Sequence, residues 1–158
     1  MVDVKPDLEY NFLICDFGFA DYAPEAEKQF VAGMKRPSTV GITARYAAPE
    51  VSLYNIWFNT DYIPLQLFLK VAVGGSNGFD YKKVDVFAYA MILYYIFTGD
   101  KPWGNEMSVS EIETHVFNGE RPPIEDKTSL KELICQCWHA DPNQRLFFDE
   151  VLTILKRQ

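Results

Sequence analysis

Apolar positions crowd most tightly in VDVFAYAMILYYIFTG, which starts at Val84. The stretch is apolar on every side of a helical wheel, and an all-round apolar helix belongs at the centre of a fold. It predicts a helix over about 85–98, closed by Gly99 as a C-cap. On this reading Ile92 and Ile96 pack in the core. Downstream, Ser108-Val109-Ser110-Glu111 has the spacing of a capping box, and Asn118-Gly119 marks the stop of that helix. A second capping box reads at Ser129-Leu130-Lys131-Glu132. Leu133, Ile134, Cys137 and Trp138 follow it on one helical face, up to Asp141-Pro142. Phe148, Val151, Leu152 and Leu155 repeat that spacing in a last helix. Upstream the pattern changes. Leu13-Ile14-Cys15 is a short apolar run entering a turn at Asp16-Phe17-Gly18, which predicts a strand. From Phe19 to Thr43 no period holds, and Gly33, Pro37 and Gly41 mark a long loop, a length often tied to function. The chain is therefore expected to be mainly α, and mostly helical after residue 80.

Composition narrows the class. A chain of 158 residues with 48% hydrophobic and 15% aromatic content can bury one core. The net charge of -7 offers no basic footprint for nucleic acid or an anionic membrane. The central apolar run, residues 86–97, is too short to span a bilayer, and no charged-then-apolar leader opens the chain. Three cysteines, an odd number without metal-ligand spacing, fit a reducing compartment and a cytoplasmic location. Cys135 and Cys137 fall on different sides of a helix and read as buried free thiols. His115 and His139 have no partner spacing and are assigned no chemistry.

Four landmarks stand in a fixed order: Cys15-Asp16-Phe17-Gly18, Thr43-Ala44-Arg45-Tyr46-Ala47-Ala48-Pro49-Glu50, Asp85-Val86-Phe87-Ala88-Tyr89, and Cys137-Trp138-His139-Ala140-Asp141-Pro142-Asn143-Gln144-Arg145. An isolated Asp-Phe-Gly arises by chance; the ordered set is specific. It resembles the C-terminal lobe of a eukaryotic protein kinase, most closely the tyrosine kinase-like serine/threonine group, over nearly all of the chain.

The resemblance implies ATP and magnesium as cofactors and a protein substrate. Asp16 would hold the metal that bridges the ATP phosphates, with Gly18 permitting the sharp turn. Residues from about 16 to 50 would form the activation segment. Thr43 would support the catalytic aspartate and lysine, which favours serine or threonine as the acceptor. Glu50 and Arg145 would form a buried ion pair. Asp85 would receive backbone N–H groups of the catalytic loop, and Trp138 would anchor the core. Ser38 and Thr39, after Lys35-Arg36, are candidate phosphorylation sites or ordinary loop hydroxyls.

Two departures qualify the match. Asp3-Val4-Lys5-Pro6 reads either as a shortened catalytic loop, with Asp3 as base and Lys5 as phosphate-side cation, or as coincidence. On the first alignment the His and Arg positions become Met1 and Val2, and the metal-binding Asn becomes Leu8. A phosphate on Thr39 then lacks its usual arginine partner. No Gly-x-Gly-x-x-Gly, strand lysine or helix glutamate of an N-terminal lobe is found, and that lobe is expected to be absent. The second departure is an apolar insert at about 55–75, within NIWFNTDYIPLQLFLKVAVGG. It is either a protein-binding patch or unspliced coding sequence. The reading is a partial protein kinase domain over 1–158, with the central helix at about 85–98 and the C-terminal helices over about 108–158. Its family activity is ATP-dependent phosphorylation of protein Ser/Thr, which the chain alone is not expected to catalyse. A non-catalytic interaction module and a truncated gene product are the alternatives.

Overall fold

A computed structural model describes residues 43–51, 80–127 and 130–157. The expected strand before Asp16, residues 19–42 of the expected Phe19–Thr43 loop and the apolar insert lie outside these residues. Within them the chain is helical. A 3-10 turn spans Ala44–Tyr46, and residues 49–51 are helical. Four helices follow: α1 (Tyr81–Thr98), α2 (Val109–Phe117), α3 (Lys131–Cys137) and α4 (Phe148–Leu155). A second 3-10 turn, Pro142–Gln144, sits between α3 and α4. No described helix is long and apolar enough to cross a membrane.

Short-range chemistry fixes most of the boundaries. Helix α1 starts about one turn before the expected 85, because the Asp80 carboxylate accepts from Lys82 N–H at 2.9 Å and caps it. The apolar run alone concealed this start, since Lys82 and Lys83 fill the first turn. Gly99 ends the helix at φ 77, its N–H donating to the Tyr95 carbonyl. At α2 the Ser108 hydroxyl accepts from Glu111 N–H, and the Glu111 carboxylate accepts from Ser108 N–H at 2.8 Å. Asn118 is its C-cap. Helix α3 begins after Leu130, which provides no side-chain cap; Ser129, the expected cap, lies outside the described residues. It ends at Cys137 rather than at Asp141-Pro142, where Asp141 instead caps the second 3-10 turn.

The core forms where α1 packs on α3 and the first 3-10 turn, which in turn packs on α2. Val86, Phe87, Ala90, Met91, Leu93 and Tyr94 of α1 are buried with Ile112, Val116, Leu133, Ile134, Cys137 and Trp138. Trp138 lies 6.1 Å from the Tyr94 ring. Ile92 and Ile96, expected in the core, are instead 45% and 63% exposed. They lie on the face of α1 opposite the packed one. Cys137 is buried among apolar neighbours, which pushes its thiol up to about 11.

Candidate functional site

Residues 43–51 hold the part of the expected site that the structure describes. Asp3, Lys5, Asp16, Gly18, Ser38 and Thr39 lie outside it. Thr43 is exposed and extended, and its carbonyl accepts from Tyr46 N–H at 2.9 Å. Ala44, Ala47 and Ala48 are buried, small enough to bring this backbone down onto α1 and α2. The segment is then pinned at both ends by arginine.

At its far end, Glu50 meets Arg145 in a bidentate pair of 2.6 and 2.8 Å. The two side chains are 2% and 0% exposed, so water cannot compete for the pair. An arginine has five N–H donors, and Arg145 places all of them. Besides Glu50, they reach the carbonyls of Lys83 (2.9 Å), His139 (2.8 Å) and Ala140 (3.5 Å). Asp141 accepts from Asn143 N–H at 2.9 Å and so caps the 3-10 turn that leads into Arg145. The Arg145 carbonyl in turn accepts from the Lys83 ammonium, which lies 3.2 Å from the Phe147 ring centroid. Burial pushes the Lys83 pKa down, although Asp80 and Glu150 oppose the shift.

A second arginine borders this cluster. The guanidinium carbons of Arg121 and Arg145 lie 4.9 and 5.0 Å from the Phe87 ring centroid. Arg121 donates to the Trp138 carbonyl at 2.8 Å, while its buried Nη2 has no hydrogen-bond partner among the described residues. Burial, and then the charge of Arg145, lower its pKa to about 10. The network is cation-rich, with Glu50 its buried carboxylate.

At the near end, Arg45 reaches the loop between α1 and α2. Its Nη1 donates to the carbonyls of Pro102 (3.0 Å) and Gly104, and its Nη2 lies 3.5 Å from the Met107 carbonyl. Sequence reasoning assigned nothing to Arg45, Lys83 or Arg121. Their partners are mostly backbone carbonyls, which leave no side-chain signature. The one available signal at Arg45 was a lone cation inside an otherwise small and apolar run.

Asp85 sits apart from these contacts, on the exposed face of α1. Its carboxylate reaches solvent, yet surrounding protein removes enough water to raise its pKa above the ordinary carboxylate range. Among the described residues, no group of three or more His, Cys, Asp or Glu could hold a metal. The described part of the site thus positions backbone; the residues expected to meet Mg-ATP lie elsewhere in the chain.

Comparison with known proteins gives this arrangement a context. The profile of the protein tyrosine and serine/threonine kinase family matches residues 75–155. The serine/threonine-protein kinase VIK of Arabidopsis thaliana is 44% identical over 79 residues, covering 48% of this chain and 18% of that protein. A probable serine/threonine-protein kinase of Dictyostelium discoideum is 40% identical over 152 residues, 94% of this chain and 13% of its own length. The dual specificity protein kinase pyk3 of the same organism is 36% identical over 77 residues, 48% of this chain and 6% of pyk3. The chain therefore spans less than a fifth of each of these relatives.

Proposed function

This chain belongs to the protein tyrosine and serine/threonine kinase family, and from that premise we propose that it carries the substrate-facing half of a cytoplasmic protein serine/threonine kinase site. The buried Glu50–Arg145 pair carries this reading. It fastens the Thr43–Glu50 segment to the Cys137–Arg145 landmark, two elements separated by most of the chain. Such a clamp suits catalysis that rests on positioning and charge stabilisation.

In this reading ATP with magnesium supplies the phosphoryl group that passes to a serine or threonine hydroxyl of a protein. Asp16 would hold the metal, with Gly18 shaping its turn. Thr43 would steady the acceptor end of the site. Asp3 and Lys5, read as a shortened catalytic loop, would take the hydroxyl proton and offset phosphate charge. Ser38 and Thr39 are the proposed regulatory phosphorylation sites. The tyrosine kinase-like group is the proposed subfamily.

The test is a thermal melt of the 158-residue chain with and without Mg-ATP. Saturation to a hundredfold over Kd adds about 2.7 kcal/mol, worth roughly 5–11 °C in a domain of this size. The kinase reading expects a rise in Tm that Asp16→Asn removes. An equal melt with and without Mg-ATP refutes nucleotide use by this chain.

One observation favours a second reading, a non-catalytic interaction module. Helix α1 exposes Ile92, Tyr95, Ile96 and Phe97, each at least 44%. Ile92 and Ile96 share one face of α1, and an exposed apolar face of this kind marks an interaction surface. On that reading Mg-ATP leaves the melt unchanged, and Ile96→Lys abolishes association without lowering stability.

A further inference from the structure

We propose that Arg45 is a positioning residue: it ties the Thr43-bearing segment to the loop over residues 101–107 and holds that loop in its strained form. Its Nη1 donates to the carbonyls of both Pro102 and Gly104, the residues on either side of Trp103. Trp103 itself has φ 68, a left-handed backbone that a bulky side chain rarely adopts, and Gly104 follows at φ 67. Such conformations persist only where the surroundings over-determine them. The indole is buried and stacked on His115 at 5.8 Å, and its Nε1 has no hydrogen-bond partner among the described residues. The loop thus carries two local costs at one residue, and Arg45 brackets that residue.

The contact is geometric in character. Among the described residues the Arg45 guanidinium meets carbonyl oxygens only, two on one nitrogen and a third, longer, on the other. A planar fork can bridge such a spread set; a lysine ammonium is a single point of charge. Thr43 stands two residues before Arg45, and its carbonyl closes the same turn through Tyr46 N–H. The tie therefore fixes where Thr43 is presented. That Thr43 serves phosphoryl transfer rests on the kinase reading; the tie itself does not, and its test uses no nucleotide.

The experiment is amide hydrogen exchange on the 158-residue chain. Three amides report directly: Tyr46, Ala47 and Gly104, which donate to the carbonyls of Thr43, Ala44 and Lys101. Arg45→Met is expected to raise their exchange by about tenfold or more, the equivalent of one lost hydrogen bond, while α1 amides keep their rates. Arg45→Lys recovers part of the protection. Coupling is reciprocal, so Gly104→Ala is the second variant. Its added Cβ meets nothing within 4 Å, and its effect comes from the positive φ alone. It is expected to speed exchange at Tyr46 and Ala47, on the far side of the arginine. Unchanged rates at those two amides in both variants, or a uniform rise across all helices, overturn the proposal. Failure of Mg-ATP to stabilise the chain would leave the exchange result standing.

Discussion

Removing the Glu50 carboxylate should destabilise this protein more than any surface charge change. In Glu50→Ala the Arg145 guanidinium keeps its three carbonyl contacts but loses both carboxylate bonds in a site where its side chain is 0% exposed. Breaking one side of a buried pair costs about 3–5 kcal/mol. That is a large share of the roughly 5–15 kcal/mol that holds a domain together. For a chain of 158 residues, each kcal/mol moves Tm by roughly 2–4 °C, so the loss should be roughly 6–20 °C. Arg145→Ala should cost more, because it strands Glu50 and also leaves the carbonyls of Lys83, His139 and Ala140 without this donor. Urea titration followed by tryptophan fluorescence reads both, with an unchanged m-value as the condition for comparing midpoints. Glu125→Ala, which removes an exposed pair with Lys127, is the control and should stay within about 0.5 kcal/mol. If Glu50→Ala falls inside the control's range, the pair is not the clamp described above. The same conclusion follows if Arg145→Ala proves the milder change.

Other outcomes are expected on the same grounds. The folded-state pKa of Asp85 lies above its unfolded value, so the folded state loses stability as pH rises from below the unfolded value through the folded one. Asp85→Asn should therefore raise Tm at pH 7 and change little at pH 3; a loss at pH 7 would show that the carboxylate is stabilising. Cys137 should resist alkylation in the native protein at pH 8, its thiol being pushed up to about 11 and buried. Of the two thiols on α3, mass spectrometry should find the half-buried Cys135 modified before Cys137. Ser108→Ala removes the hydroxyl half of the α2 cap and should cost about 0.5–1 kcal/mol by urea melt; no change would show that the Glu111 carboxylate alone suffices.

The parts of this fold that were legible in the sequence are those set by contacts a few residues long. The Ser108–Glu111 box and the Gly99 cap depend on neighbours within one turn, and the residue types state their own geometry. The Asp80 cap is equally local, yet the apolar onset at Val84 points to a later helix start than the one it sets. Glu50 and Arg145 are another matter. They stand 95 positions apart, and no periodicity connects them; only the ordered resemblance placed them together. Arg45 illustrates the remaining gap. It binds carbonyls of a loop 57 to 62 positions away, and any residue supplies a carbonyl, so the partner leaves no mark in the sequence.

Helix α1 shows how an all-round apolar pattern can mislead. Such a pattern says that every face lacks a reason to meet water; it does not say which face finds a partner. Here Phe87, Met91 and Tyr94 meet α3 and its flanks, and Ile92 and Ile96 do not. The uncovered stripe shares its face with Asp85, by the helical spacing of 85, 92 and 96. A covering partner would then act on both properties together. It would remove apolar area from water, at roughly 25 cal/mol per Å², and it would deepen the desolvation that already raises the Asp85 pKa. The two effects oppose each other above the carboxylate's pKa and cease to oppose below it. Association through this face should therefore strengthen as pH falls toward the carboxylate range, and Asp85→Asn should reduce that dependence in sedimentation velocity runs across the range. Association that weakens on acidification would place the contact on another surface.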